Sequence, residues 1–246
     1  RTVVETTEPD PNLQKSYTLE GQKEEQKGDK LWKAYTPRWP LTQDKKYWYK
    51  TDTSSDELDG HYFFYAAYYD LVADTDEEKE RVRKVVKDLT DHLVRNDFCL
   101  VDHDGTPTRW AVYSPKMLNH DPLWSWERGL NSLSMLSYLT VGEYMTGDTA
   151  YTDAIRMLRE EHAYDEMAIM CFYNIVKYTK DEPLKKRMTY AFYKYMALEW
   201  PEMNPFFNFA YAALGQGASF PNAYNDWKID PWNEWLEDSV DTLKRF

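Results

Sequence analysis

From residue 51 onward the apolar positions alternate between two kinds of segment. A first helix is predicted to start at the capping cluster Thr53-Ser54-Ser55-Asp56. It runs through Tyr62-Phe63-Phe64-Tyr65-Ala66-Ala67-Tyr68-Tyr69 to about Val72 and is apolar or aromatic on every side. A second helix, over about residues 77–96, carries Val82, Val85, Val86, Leu89 and Leu93 as one stripe, with charges on its other face. The alternation then repeats. Residues 130–145 are mostly apolar, Gly147-Asp148 breaks the chain, and Tyr151, Ala154, Ile155 and Leu158 form the next stripe. Met167 to Tyr173 is apolar throughout. After Lys180-Asp181-Glu182-Pro183, the residues Leu184, Met188, Phe192 and Tyr195 line one side of another helix. A weaker fourth pair covers about 205–214 and 230–245, the latter with Trp232, Trp235, Leu236, Val240 and Leu243.

A helix that is apolar all round touches neighbours on all sides, and a one-sided helix borders water. Repeated pairs of the two kinds predict an all-α fold of helical hairpins in two layers. α/α-Toroids and α-solenoids share that architecture, and the lack of a fixed-period repeat favours the toroid. Four hairpins are too few to close such a ring, so an open or incomplete ring is expected. One segment departs from the pattern. Phe98 to Tyr113 reads as a small β-hairpin turning at Asp104-Gly105. A calcium loop does not fit there, because the acidic spacing is wrong and Tyr113 stands where the closing Glu belongs.

Residues 1–49 differ again. Thr2 to Thr6 is a candidate strand, Glu8-Pro9-Asp10-Pro11 breaks any regular element, and Gln22 to Lys27 reads as a solvated linker or loose helix. Trp32, Pro37, Trp39, Pro40 and Trp48 suggest an irregular arm pinned by its aromatics. The division expected is an N-terminal arm or linker, 1–49, and a toroid-like helical domain, 50–246. The chain stops within a helical pattern at Leu243-Lys244-Arg245-Phe246, so truncation there, and further domains of the same polypeptide, are expected.

Lys+Arg number 30 and Asp+Glu 42, a net charge of −12 over 246 residues. That excess disfavours a polyphosphate or an anionic membrane surface, so nucleic acid is not expected as a partner. No run approaches the roughly 20 apolar residues of a membrane span. Cys99 and Cys171 are too few for a disulfide scaffold and leave the redox compartment open. Aromatics reach 16% of residues, with 20 Tyr and 10 Trp. Their flat faces and polar edges suit sugar rings as well as ordinary cores. The sequence lacks His-Glu-x-x-His, a phosphate-binding glycine loop and Gly-x-Ser-x-Gly, and 9 Gly argue against a dinucleotide fold. No cofactor is expected. Asp56, Asp59, His61, Asp165 and Glu166 offer metal-ligand chemistry, but no two His stand at ligand spacing on one helix, so no metal is assigned.

Each all-round apolar helix opens on polar residues. The openings are Asp56-Glu57-Leu58-Asp59-Gly60-His61, then Trp124-Ser125-Trp126-Glu127-Arg128-Gly129-Leu130-Asn131, then Asp165-Glu166, then Asn204 to Asn208. Parallel inner helices would gather these at one end. The candidates for catalysis are Glu57, Asp59, His61, Asp165 and Glu166. The candidates for substrate binding are Tyr62, Arg109, Trp110, Trp124, Trp126, Arg128, Asn131 and Asn208. In a hydrolase two of the carboxylates would face each other across a cleft. In a lyase His61 or Tyr62 would take a proton while Arg128 and Asn131, on one helical face, neutralise a uronate carboxylate. The alternative for each acid is a helix cap, because helix N-termini favour negative charge. Glu57 and His61 share a face and suit either a structural hydrogen bond or an acid/base pair. Glu127-Arg128 reads as an ordinary ion pair, and His92 as a surface residue.

Three stretches carry a resemblance. They are Thr53 to Phe63, Leu100-Val101-Asp102-His103-Asp104-Gly105-x-Pro107-Thr108-Arg109-Trp110, and Glu127-Arg128-Gly129-Leu130-Asn131-Ser132-Leu133. From about Thr51 to its end the chain resembles helical domains of large bacterial proteins, which carry no settled reaction and are similar to the α/α-toroids of carbohydrate-active enzymes. The resemblance implies a secreted or periplasmic protein acting on a poly- or oligosaccharide as a glycoside hydrolase or polysaccharide lyase. The alternative is a non-catalytic glycan-binding or interaction domain. In the resembled pattern a loop Asn-His-Ser-Asp-Asp precedes the third opening. Here His162-Ala163-Tyr164 runs straight into Asp165-Glu166. Two antiparallel helices need a connection, so residues are expected to be missing between Tyr164 and Asp165.

Overall fold

The computed structural model describes residues 3–161 and 169–194, together with positions 209, 210, 213, 214, 240 and 244. The described residues are mostly helical. Helix α2 spans Ser55–Leu71 and α3 spans Asp76–Arg95. Both open on capping boxes, Ser54 with Glu57 and Thr75 with Glu78, in which side chain and backbone satisfy each other's unpaired donors. Helix α5 (Arg128–Thr146) ends at Gly147, whose left-handed backbone (φ 69°) closes the turn into α6 (Thr149–Glu161). Helices α7 (Ile169–Tyr178) and α8 (Glu182–Lys194) form the next hairpin. The short α4 (Pro115–His120) precedes α5. The expected fourth hairpin and the Tyr164–Asp165 junction lie outside the described residues.

Side-chain partners fix the direction of each helix. On α2, Asp59 meets Tyr138 and Cys171, Phe63 meets the Tyr173 ring at 5.5 Å, and Asp70 meets Tyr144 and Tyr178 at 2.7 and 3.0 Å. Partner numbers rise together, so α2, α5 and α7 run parallel. Helix α3 runs the other way, since Tyr62 bonds Thr90 while Tyr69 bonds Arg83. Helix α6 folds back on α5 so closely that a Cβ at Gly142 would stand 3.2 Å from the Tyr151 ring. Helix α8 folds back on α7, stacking Phe192 on Phe172 at 5.8 Å. Three parallel helices therefore each carry an antiparallel partner. Helix α2 touches α7 as well as α5, so the three parallel helices pack as a triangle.

Burial corrects one expectation. Helix α5 is enclosed from Asn131 to Gly142, with α2, α3, α6 and α7 around it. Among the described residues helix α2 is covered on one side only. Leu58, Tyr62 and Ala66 are buried, but Phe64 is 57% and Leu71 77% exposed, and His61 is exposed. Its aromatic sequence resembles that of a fully packed helix, yet the described neighbours cover only one side.

The hairpin at Asp104-Gly105 forms as expected. Strand β3 (Cys99–Val101) pairs antiparallel with β4 (Pro107–Val112), and Gly105 takes φ 80° in the turn. His92 is not merely a surface residue, since its Nε2 accepts the Val101 N–H at 3.1 Å and ties α3 to β3. Both cysteines are free and buried.

The arm has its own structure. Strand β1 (Val3–Glu5) pairs with β2 (Tyr47–Tyr49), closing the arm on itself. The charge run from Gln22 to Lys27 belongs to helix α1 (Leu19–Gly28), capped by Thr18. Within it Gln22 is 1% exposed and exchanges two 2.8 Å bonds with the Tyr35 backbone. The Arg38–Asp52 pair is likewise buried.

Candidate functional site

Two groups of side chains gather near the openings of α2 and α5. The first is a buried polar knot. Asp59 is 6% exposed and accepts a short hydrogen bond from the Tyr138 hydroxyl, which also bonds the Ser55 carbonyl at 3.1 Å. The Cys171 thiol lies 3.4 Å from the same Asp59 oxygen and 3.6 Å from Ser134. Tyr62 stacks on Tyr138 at 4.3 Å and Tyr113 meets it edge-on at 5.5 Å. Burial pushes the Asp59 carboxyl up, against the lowering effect of bonds from Tyr138, Ser134 and Cys171. Burial, with Asp59 close by, also holds the Cys171 thiol far above its ordinary range, so it is a poor nucleophile.

The second group is built on β4 and the turn before α5. The Arg109 side chain is 7% exposed, and its Nη1 donates to Glu127 at 2.7 Å. Its Nε donates to Asp29 of the arm at 2.7 Å. Three indoles surround the guanidinium, with ring centres of Trp110, Trp124 and Trp126 at 3.9, 5.3 and 5.5 Å. Asn131 bridges Glu127 and the Val112 carbonyl, both at 3.0 Å. Burial raises the Glu127 carboxyl, while Arg109 and Asn131 pull it down. Trp110 and Trp126 stand perpendicular at 6.3 Å, and Trp126 is 64% exposed. The Trp126 Nε1 donates to the Leu123 carbonyl at 3.0 Å, which pins the ring while leaving its face open.

The structure thus brings Arg109, Trp110, Trp124, Trp126 and Asn131 together, and separates the other candidates from them. Tyr62 is fully buried and cannot touch a substrate. Asp59 is enclosed in the knot. Glu57 serves as the capping residue of α2, accepting from Ser54 N at 3.1 Å and from the Thr53 hydroxyl. His61 is exposed and stacks on Tyr65 at 5.6 Å. Arg128 and Asn131 do not act together, because Asn131 is 1% exposed whereas Arg128 faces outward. Glu127 pairs with Arg109 and not with Arg128, and it meets Asn131 one helical turn on. Asp165, Glu166 and Asn208 lie outside the described residues.

Sequence reasoning missed Asp29, Glu127, Tyr138, Ser134 and Cys171 as members of these groups. The spacing of Glu127 to Asn131 was a usable signal. Nothing local linked Asp29 to Arg109, 80 residues away. Among the described residues no group of three His, Cys, Asp or Glu side chains has metal-holding geometry, and no helix is long and apolar enough to cross a membrane. A groove of about 570 Å³ lies between Glu143, Thr152, Arg156, Arg159 and Asp181, toward the C-terminal end of α5, and includes none of the candidate residues. Comparison with protein-family models, with curated proteins and with solved structures finds no match to this chain.

Proposed function

We propose that this chain is a saccharide-recognition domain, its helical hairpins forming one arc of an open, toroid-like ring. The observation that carries the reading is the Trp110–Trp126 corner. A rigid indole with an open face is what a sugar ring's C–H face stacks on. A second indole at right angles limits how the sugar can sit. The parallel run of α2, α5 and α7, each with an antiparallel partner, supports the helical-hairpin part of this architecture, since it turns the openings of α2 and α5 to one end. On this reading the partner is a glycan, met in a secreted or periplasmic setting as part of a larger polypeptide.

The test is binding of a panel of neutral and acidic oligosaccharides, measured by calorimetry on wild type and Trp126→Ala. Loss of about tenfold or more in affinity, equivalent to roughly 1.4 kcal/mol, supports the corner. Binding that Trp126→Ala leaves untouched moves the site elsewhere.

One observation favours a catalytic reading, as a glycoside hydrolase or polysaccharide lyase. The Glu127 carboxyl, held by Arg109 at 2.7 Å and Asn131 at 3.0 Å, stands beside the tryptophan corner. Asp165 or Glu166 would then have to supply the second group. New reducing ends without ultraviolet absorbance would mark hydrolysis, and unsaturated-uronate absorbance would mark elimination. Either activity should be lost in Glu127→Gln. Turnover of no substrate by folded protein leaves the binding role alone.

A further inference from the structure

Arg109 has one carboxylate more than its charge requires. Glu127 is as buried as Arg109 itself, each side chain 7% exposed, and neutralises it from within the helical domain. Asp29 arrives from the arm and is 26% exposed. It also sits at the C-terminal cap of α1, where a helix dipole disfavours negative charge. The contact with Arg109, with a bond from the Leu31 N–H at 3.0 Å, offsets that placement.

The arm meets the hairpin through ion pairs, hydrogen bonds and one ring contact, Tyr35 edge-on to His103 at 4.6 Å. Besides Asp29, Lys33 bonds Asp102 at 3.0 Å and the Tyr35 hydroxyl bonds Asp102 at 3.1 Å. Among the described residues the main core begins at Leu58, and from the arm Leu31 packs against the small core of Cys99, Val112, Leu118 and Trp124. A polar, ion-paired contact of this kind separates more readily than an apolar one. The Arg109 guanidinium lies 3.9 Å from the centre of the Trp110 ring, part of the corner on which a sugar would stack.

We infer that Asp29 is a displaceable stand-in for the carboxylate of a hexuronate, and that the arm is a latch over Arg109. The inference rests on the saccharide reading of the tryptophan corner. A uronate bound at that corner would present its carboxylate to the Nε–H edge of the guanidinium that Asp29 holds, in the charge-assisted geometry arginine favours. Asp29 would then leave with the arm. The latch makes the apparent affinity the intrinsic one scaled by the fraction of open arm. An arm open about one time in ten weakens binding about tenfold.

The experiment titrates the full chain, wild type and Asp29→Asn, with tetragalacturonate and cellotetraose at low ionic strength. In parallel it follows tryptic cleavage after Lys30 and Lys33 in wild type. The expected result is that Asp29→Asn tightens tetragalacturonate about tenfold and leaves cellotetraose unchanged. Tetragalacturonate, and not cellotetraose, should also speed cleavage of the arm. The cleavage measurement needs no variant, so it stands should Asp29→Asn misfold. Equal binding of both probes with no effect of Asp29→Asn overturns the latch and leaves the saccharide site standing. Acidic preference without any response of Asp29→Asn or of arm cleavage overturns it too, and assigns the preference to an exposed cation such as Arg128. Failure of both forms to bind either probe removes the saccharide site, and the latch with it.

Discussion

Asp59 and Asp70 both lie on α2 and tie the same three helices together, one near each end. Asp59 bonds Tyr138 of α5 and Cys171 of α7, and Asp70 bonds Tyr144 of α5 and Tyr178 of α7. The chemistry of the two knots is opposite. Asp59 has no cation among its described partners, and burial raises its carboxyl. Burial acts on Asp70 as well, but it is outweighed by hydrogen bonds from Tyr144, Lys177 and Tyr178 and by the Lys177 charge 3.1 Å away, so its carboxyl is lowered. Similar connectivity thus gives a carboxyl raised by burial at one end and an ion-paired, lowered one at the other. What differs is a single lysine and the depth of burial.

The largest effect should come from removing the ring at the buried knot. Tyr138→Ala deletes a fully buried side chain stacked on Tyr62 and is expected to cost about 3–5 kcal/mol in urea unfolding. Tyr144→Ala, at the half-open knot, should cost less than half of that. A larger loss for Tyr144 would reverse the ranking of the two ends.

A second test is pH. The folded carboxyl of Asp59 titrates above its unfolded value of about 3.9, so the native state holds the proton longer than the unfolded one. Its contribution is complete below that value and lost as pH rises through the folded pKa. Asp70 is the reverse, its contribution present above about pH 3.9 and lost as pH falls. Asp59→Asn should therefore gain on wild type as pH rises from about 4 toward 7. Asp70→Asn should lose most at pH 7 and converge with wild type in acid. Asp52 and Glu127 are also raised by burial, so Asp59→Asn reduces the wild-type slope without abolishing it. Parallel pH profiles for wild type and Asp59→Asn would remove the proton-holding role.

Lys177→Met sharpens the contrast at smaller scale. It should cost about 0.5–1 kcal/mol and raise the acid midpoint of Asp70. The difference should shrink in high salt, whereas that of Tyr138→Ala should not. The smallest effect on stability belongs to Trp126→Ala, within about 0.5 kcal/mol because the ring is mostly exposed. It should nevertheless weaken saccharide binding, which separates the surface corner from both knots.

Much of the fold was legible because its signals are local. The stripes of α3, α6 and α8 repeat at the helical period, Thr53-Ser54-Ser55-Asp56 marks a start, and Gly147 marks a stop. Asp104-Gly105 marked the hairpin for the same reason. The site was only partly legible. Four residues chosen for sugar binding do meet around the fifth, Arg109: Trp110 follows it on β4, and Trp124, Trp126 and Asn131 lie within eight residues of chain at the start of α5. The role of Glu57 was ambiguous, since a carboxylate three residues past a helix start reads equally as a cap and as an acid.

The sequence by itself determined which of the long described segments are helical, where the Gly147 and Asp104-Gly105 turns fall, and that the aromatics would dominate packing, since these follow from side-chain period and backbone preference. Only the tertiary structure decided which aromatic helix is enclosed among the described residues, α5 and not α2, because enclosure depends on how many neighbours arrive. It alone paired Asp29 with Arg109 and Asp59 with Tyr138, across separations of 80 and 79 residues. Whether a carboxylate becomes a cap, a buried acid or half of an ion pair is set by the dielectric and the partners around it, and those come from distant parts of the chain.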